Sequence, residues 1–287
     1  MPVFIFIAGY FHRNQNVLCK FYFFVVSGFL LKILLFTEYR VLYKKGTLLL
    51  GVEGNIPWFM FAMAGFILIS YIVKDCQPKL VLIVSIIVGC FVGYDKSIND
   101  FLVLSRIFVF FPFYYAGILV SNNEYLKSLL YLRTYQKMLF SIIWLILFFT
   151  ICMIFVDHID FLRQYFRGRF PYFFIWGANY SHIKSILIRL LCYGISFLMG
   201  ISLITLTPNR YLPIVSEMGR KTLQIYFWHI FFIEILRKTN ILYFAFRENI
   251  VYPLLLAVIL TLLLGCSLFS FPTKNIKDGC FVKGSAK

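Results

Sequence analysis

The chain has 287 residues, of which 61% are hydrophobic and only 14% charged, with a mean hydropathy of +0.84. A soluble domain of this size is nearer half apolar and about a quarter charged, so the composition excludes a water-soluble globular fold and implies lipid around most of the chain. The net charge of +16 does not point to nucleic acid. Lys and Arg lie in short loops between apolar runs, where they set topology and meet anionic lipid, and a minority can attract an anionic co-substrate.

A membrane-spanning helix needs about 20 mostly apolar residues. The opening run Met1–Phe11 is apolar but about half that length, and is predicted as a partial helix that lacks its first half. Eight full spans are predicted after it: Val17–Phe36, Ile56–Val73, Leu80–Tyr94, Phe101–Val120, Met138–Val156, Ile186–Leu206, Thr222–Tyr243 and Val251–Phe271. The third is short, which implies tilting or packing inside protein. Between the fifth and sixth, Asp157–Ser185 carries Arg163, Arg167, Arg169, Pro171 and Trp176, too polar to span and too aromatic for a plain linker. It is predicted as an interfacial loop. The expected fold is therefore an all-α, polytopic integral membrane protein with about 8 full transmembrane helices plus a partial N-terminal one. Residues 1–271 form the membrane-embedded part, and 272–287 form a short basic tail. No basic segment precedes the apolar start, so it does not read as a signal peptide.

Alternating loops collect 14 basic residues on the side of Arg13, Lys74, Arg220 and Lys287, against 11 on the side of Arg40, Lys96, Arg163 and Arg237. The positive-inside bias places the C-terminus in the cytoplasm.

Ionisable side chains within spans are costly and usually face a partner or a wet cavity. Arg106 stands about five residues into its span, ahead of Pro112. It either snorkels to the nearer interface or offers its planar guanidinium to a phosphate or carboxylate, and Pro112 could open a cavity beside it. Arg189, a turn into its span, suits snorkelling better, as does Lys32 near Glu38 and Arg40. Thr222, Tyr226 and His229 share one helix face by their spacing. That stripe is read either as hydrogen-bonding glue between helices or as a site where His229 meets substrate or moves a proton. Trp58 follows Pro57 at a helix entrance, where interfacial anchoring explains it. His12, His158 and His182 fall in loops and form no constellation. The seven cysteines show no C-x-x-C pair and no histidine at ligand spacing, so neither zinc nor a disulfide framework is indicated. Side-chain chemistry alone leaves an enzyme, a transporter or flippase, and a non-catalytic membrane subunit all open.

Four segments in order carry a resemblance. Met1-Pro2-Val3-Phe4-Ile5-Phe6-Ile7-Ala8-Gly9-Tyr10 is similar to a His-Met-Pro-Leu-Phe-Phe-Phe-Ile-Ser-Gly-Tyr motif, and Pro57-Trp58-Phe59 to a Trp-Phe-Leu helix entrance. Ser105-Arg106, followed by Phe111-Pro112-Phe113-Tyr114-Tyr115-Ala116-Gly117, is similar to Ser-Arg…Phe-Pro-Phe-Phe-Leu-Leu-Gly. Gly219-Arg220-Lys221-Thr222-Leu223-Gln224-Ile225-Tyr226-Phe227-Trp228-His229 is similar to Gly-Lys-x-Thr-Leu-x-Ile-Tyr-x-x-His. Together they resemble the acyltransferase 3 family, in particular its fucose 4-O-acetylase-like branch.

The resemblance implies a cell-membrane O-acyltransferase that moves an acyl group, usually acetyl, onto a hydroxyl of a surface polysaccharide or its precursor. Acetyl-CoA would be the co-substrate, with no bound cofactor and no metal. The partners would be the lipid bilayer, the acyl donor and a carbohydrate acceptor, with no nucleic acid. By the same resemblance Arg106 binds the acyl donor or steadies charge in the pocket, Tyr226 and His229 line the acceptor side, and Trp58 stands at the cavity mouth; Arg189 is a further substrate-binding candidate. The family's catalytic histidine lies in a helix ahead of the segment that starts at Met1. The complete protein is thus expected to carry one more helix, and the form starting at Met1 to be incomplete or inactive, with His229 the first substitute base to test. The alternatives are a glycan or lipid transporter or flippase, and a non-catalytic membrane remnant.

Overall fold

The computed structural model describes residues 1–44, 57–98, 101–131, 134–156, 159–177, 181–208, 210–248 and 251–274. Among these, 83% are helical and no strand is present. The helices are α1 (Pro2–Tyr10), α2 (Val17–Tyr43), α3 (Trp58–Ile72), α4 (Pro78–Phe91), α5 (Leu104–Asn122), α6 (Glu124–Tyr131) and α7 (Tyr135–Ile154). They continue as α8 (Ile159–Arg167), α9 (Tyr172–Trp176), α10 (His182–Leu206), α11 (Pro213–Arg220), α12 (Thr222–Lys238), α13 (Ile241–Glu248) and α14 (Val251–Leu264).

Four helices, α2, α5, α7 and α10, are long and apolar enough to cross a membrane. The other four predicted spans are shorter as helices, and local backbone explains one of them. The run from Thr222 is broken where Asn240 adopts a left-handed backbone (φ 58°), which divides it into α12 and α13. The helix from Val251 stops before Gly265, where a Cβ would stand 2.4 Å from the Met218 sulfur. Conversely, α2 runs beyond Phe36 to Tyr43 and ends at Lys44, also left-handed at φ 53°. The segment predicted as an interfacial loop contains α8 and α9. The tail from residue 275 onward, the helix entrance before Pro57, and His158 lie outside the described residues.

The helices pack as two compact units. The first holds α1, the second half of α3, and α4 to α10; the second holds α2, the first half of α3, and α11 to α14. In the first unit α5 is the core, with every residue from Ser105 to Gly117 buried except Phe108. Around it α1 and α4 pack directly, and α7 packs on α10.

The approach of α1 to α5 depends on two glycines. A Cβ on Gly9 would lie 1.9 Å from the Tyr114 carbonyl oxygen, and one on Gly117 would lie 2.1 Å from the Phe6 carbonyl oxygen and 2.6 Å from the Tyr10 nitrogen. Small residues at a crossing let helix backbones touch, which is how helices associate without a hydrophobic driving force in lipid. Phe6, Gly9 and Tyr10 of α1 thus meet Tyr114 and Gly117 of α5 at one crossing. The outer side of the unit is apolar: on α7, Leu139, Ile146 and Phe149 are 45%, 61% and 62% exposed. An apolar face of that length suits lipid contact.

In the second unit α12 packs on α2 and α14. Gln224 donates from Nε2 to the Leu264 and Cys266 carbonyls at 2.6 and 2.7 Å, and Trp228 Nε1 donates to the Phe269 and Phe271 carbonyls at 3.0 and 2.9 Å. These bonds stitch α12 to the C-terminal end of α14 and the turn beyond it. They also satisfy carbonyls that the end of a helix leaves without partners.

Candidate functional site

The first unit holds Arg106 and Arg189; the second holds Trp58, Tyr226 and His229. Arg106 is the third residue of α5 and is 7% exposed, so it is enclosed and not extended to the surface. Beside it, Ser105 Oγ donates to the Gly168 carbonyl at 2.8 Å, tying the start of α5 to the turn after α8. Gly168 is left-handed (φ 59°) and packs on Val109 so closely that a Cβ would fall 2.7 Å from its side chain. Pro112 sits inside a continuous α5. A small apolar crevice of about 30 Å³ lies along α1, α5 and α10, lined by Phe6, Phe113, Phe197 and Gly200 among others. Arg106 does not line it.

Arg189 is 2% exposed and does not snorkel. Its guanidinium carbon stands 5.3 Å from the Tyr165 ring centre and 5.5 Å from that of Tyr172. One terminal nitrogen donates to the Tyr165 carbonyl at 2.5 Å, and Nε donates to the Tyr172 hydroxyl at 3.4 Å. Tyr172 in turn donates to the Cys90 carbonyl at 2.8 Å, and Trp176 Nε1 donates to the Tyr165 hydroxyl at 2.5 Å. Burial pushes the Tyr172 hydroxyl up to about 12 while the Arg189 charge pulls it down, so it remains a neutral donor. Cation–aromatic attraction of this kind strengthens when water is excluded. Arg189 therefore anchors α8 and α9 to α10, and α9 is bonded on to the end of α4.

The clearest acid–base arrangement in the first unit involves a residue the sequence reading left in a loop. Tyr114 Oη lies 2.8 Å from His12 Nδ1, and His12 Nε2 lies 2.9 Å from Asn14 Oδ1. The His12 ring meets the Tyr114 ring edge-on at 5.6 Å, and Tyr114 stacks on Phe66 at 5.3 Å. Tyr114 is 1% exposed, whereas His12 is half-buried and Asn14 exposed. The ring is thus held on its inner side by a clamped phenol, and on its outer side Nε2 donates to the Asn14 amide oxygen.

In the second unit Thr222, Tyr226 and His229 do share a face of α12, and the side-chain bonds of Thr222 and His229 stay local. Thr222 Oγ1 donates to the Gly219 carbonyl at 2.7 Å, and His229 Nδ1 donates to the Tyr226 carbonyl at 2.7 Å. A carbonyl only accepts, so Nδ1 carries the proton and Nε2 keeps the lone pair. The Tyr226 ring lies 5.5 Å from His229 and 5.1 Å from Phe59, the residue after Trp58. Trp58 opens α3, half-buried, with its ring 6.0 Å from Phe59. The bonds that join helices come instead from Gln224 and Trp228. On α2, Glu38 is 8% exposed, and among the described residues neither of its carboxylate oxygens meets a hydrogen-bond donor. Among the described residues no cluster of three or more His, Cys, Asp or Glu could hold a metal.

No family model, curated protein or solved structure matches this chain.

Proposed function

We propose that the chain is a polytopic membrane O-acyltransferase that moves an acyl group, acetyl from acetyl-CoA in the first instance, onto a hydroxyl of a cell-surface polysaccharide or its precursor. One observation carries the reading. The opening segment and the Phe111–Gly117 segment, two of the four that resemble the acyltransferase 3 family, pack backbone to backbone through Gly9 and Gly117. In this reading the cell membrane holds about eight spans and the partial first helix, with the C-terminus in the cytoplasm.

The roles follow the residues. Arg106 offers a planar, permanently charged fork to the phosphates of the donor. In the second unit, Trp58, Tyr226 and His229 are the residues the resemblance assigns to the acceptor. Arg189 serves as scaffold, since its Nε and one terminal nitrogen bond to Tyr172 and Tyr165. The test is incorporation of labelled acetyl into alkali-labile esters of surface polysaccharide. Cells that express the chain should incorporate it and matched cells without it should not.

A second reading, a glycan or lipid transporter or flippase, is favoured by Glu38. A buried carboxylate with no donor is costly to keep, and within membranes such groups commonly mark proton or ion paths. Movement of a labelled glycan lipid across the bilayer without ester formation would support this alternative.

A further inference from the structure

Helices α8 and α9 pack on the ends of longer helices in the first unit. Ser105, at the start of α5, donates to the Gly168 carbonyl between α8 and α9 at 2.8 Å. Tyr172 of α9 donates to the Cys90 carbonyl near the end of α4, also at 2.8 Å. Tyr94, just past α4, donates to the carbonyl of His182, the first residue of α10, at 2.5 Å. The start of α5, the start of α10 and the end of α4 therefore lie together, and α8 and α9 lie against them. From His182 to Arg189, which holds Tyr165 and Tyr172, is about 10 Å along α10. A segment seated that far below the end of a span is at the boundary between headgroups and acyl chains.

The side chains suit that level. On α8, Phe161, Tyr165 and Phe166 pack with Tyr172 and Cys192, while Arg163 and Arg167 are exposed. On α9, Phe174 and Trp176 are 58% and 37% exposed, and aromatic rings of this kind belong at a membrane–water interface. Lys96 Nζ stands 3.7 Å from the centre of the Phe173 ring, and the Arg169 guanidinium 4.8 Å from that of Phe170. Lys184, in the first turn of α10, is exposed beside them. The acidic side chains here among the described residues, Asp95 and Asp160, are engaged locally. Asp95 accepts from Ser97 Oγ at 2.6 Å, and Asp160 pairs with Arg163 at 2.9 Å. What remains is net positive charge next to exposed aromatic rings.

We propose that α8 and α9 form an interfacial surface that binds the headgroup of an anionic phospholipid. Lys96, Arg163 and Arg167 face the lipid phosphate, and Phe174 and Trp176 enter the upper acyl layer. A phospholipid satisfies both parts of the surface at once, whereas free phosphate or a soluble glycan offers nothing apolar to the two rings. Arg189, through Tyr165 and Tyr172, holds the surface in place. Lipid binding here needs no acyl transfer and stands apart from the reaction proposed above.

The experiment places the full chain in phosphatidylcholine nanodiscs that contain a fraction of lipid brominated on an acyl chain. Trp176 emission is isolated as the difference between wild type and Trp176→Phe. Phe174→Trp, at an exposed position, adds a second reporter that leaves the bond between Trp176 and Tyr165 intact. Brominated phosphatidylglycerol should quench both reporters at several-fold lower mole fraction than brominated phosphatidylcholine, and added salt should narrow the difference. Arg163→Gln combined with Arg167→Gln should reduce the preference by up to roughly 5-fold for each charge removed. Arg220→Gln, an exposed cation of the second unit, should leave it unchanged. Equal quenching by the two lipids, or a preference that survives loss of both arginines, overturns the proposal. Absence of quenching by either lipid places α9 outside the bilayer and overturns it too. If the two lipids quench alike and an acidic surface polysaccharide relieves the quenching, the surface belongs to a glycan and not to a lipid.

Discussion

Replacing Gly9 by Ala should destabilise the protein, against the usual preference of helices for Ala. In an open helical position the change stabilises by up to about 1 kcal/mol, because Gly forfeits more backbone entropy. At Gly9 the new Cβ would land 1.9 Å from the Tyr114 carbonyl oxygen, a backbone atom that cannot rotate away. An ordinary contact needs about 3.4 Å or more, so α1 and α5 must part by roughly 1.5 Å. Overpacking costs about 1–3 kcal/mol, and a backbone collision belongs at the upper end, for a net loss of about 2 kcal/mol. The same parting stretches the 2.8 Å bond between Tyr114 and His12 to roughly 4 Å, beyond hydrogen-bonding range. Gly194, inside α10, provides the control, since nothing lies within 4 Å of a Cβ added there. Thermal unfolding in detergent, followed by tryptophan and tyrosine fluorescence, should show Gly9→Ala melting several degrees below wild type and Gly194→Ala at or above it. If Gly9→Ala melts at or above wild type, the close crossing of α1 and α5 is wrong.

Arg106→Lys keeps the charge but loses the fork, and should raise the KM for acetyl-CoA at unchanged membrane abundance; an unchanged KM removes Arg106 from the donor site. Arg189→Met should weaken the hold on α8 and α9 by about 2 kcal/mol, since the buried Tyr165 carbonyl loses its charged donor. Tryptic cleavage at Arg163, Arg167 and Arg169 should then accelerate, and an unchanged digestion rate would contradict the anchoring role. Glu38→Met removes a buried carboxylate whose oxygens have no donor, and should raise thermal stability by about 1–3 kcal/mol; a lower melting temperature would show that Glu38 has a stabilising partner.

Hydropathy is a local property, and the elements that depend on it alone were legible. Helices α2, α5, α7 and α10 each cover most of a predicted span, because a long apolar run in lipid has little choice but to become a helix. Where a helix stops was harder to read. The left-handed turn at Asn240 is invisible to an average over neighbours, so the run from Thr222 was read as too long.

Pairings between distant residues were hidden for a related reason. His12 looks like a loop histidine because its partner Tyr114 is 102 positions away, and only the crossing at Gly9 and Gly117 brings them together. The Tyr165 and Tyr172 rings around Arg189 were obscured similarly, since their segment was read as lying outside the spans. The stripe of Thr222, Tyr226 and His229 was correctly placed on one helix face by periodicity. Periodicity could not show that Gln224 and Trp228, on other faces, make the bonds to the end of α14.

The most direct measurement uses the purified chain in lipid nanodiscs with acetyl-CoA and de-O-acetylated surface polysaccharide. Free thiol and carbohydrate ester are followed together. Acyl transfer predicts that thiol release depends on the polysaccharide and that each thiol released is matched by one alkali-labile acetyl ester. Absence of ester formation, or thiol release at the same rate without polysaccharide, would contradict it.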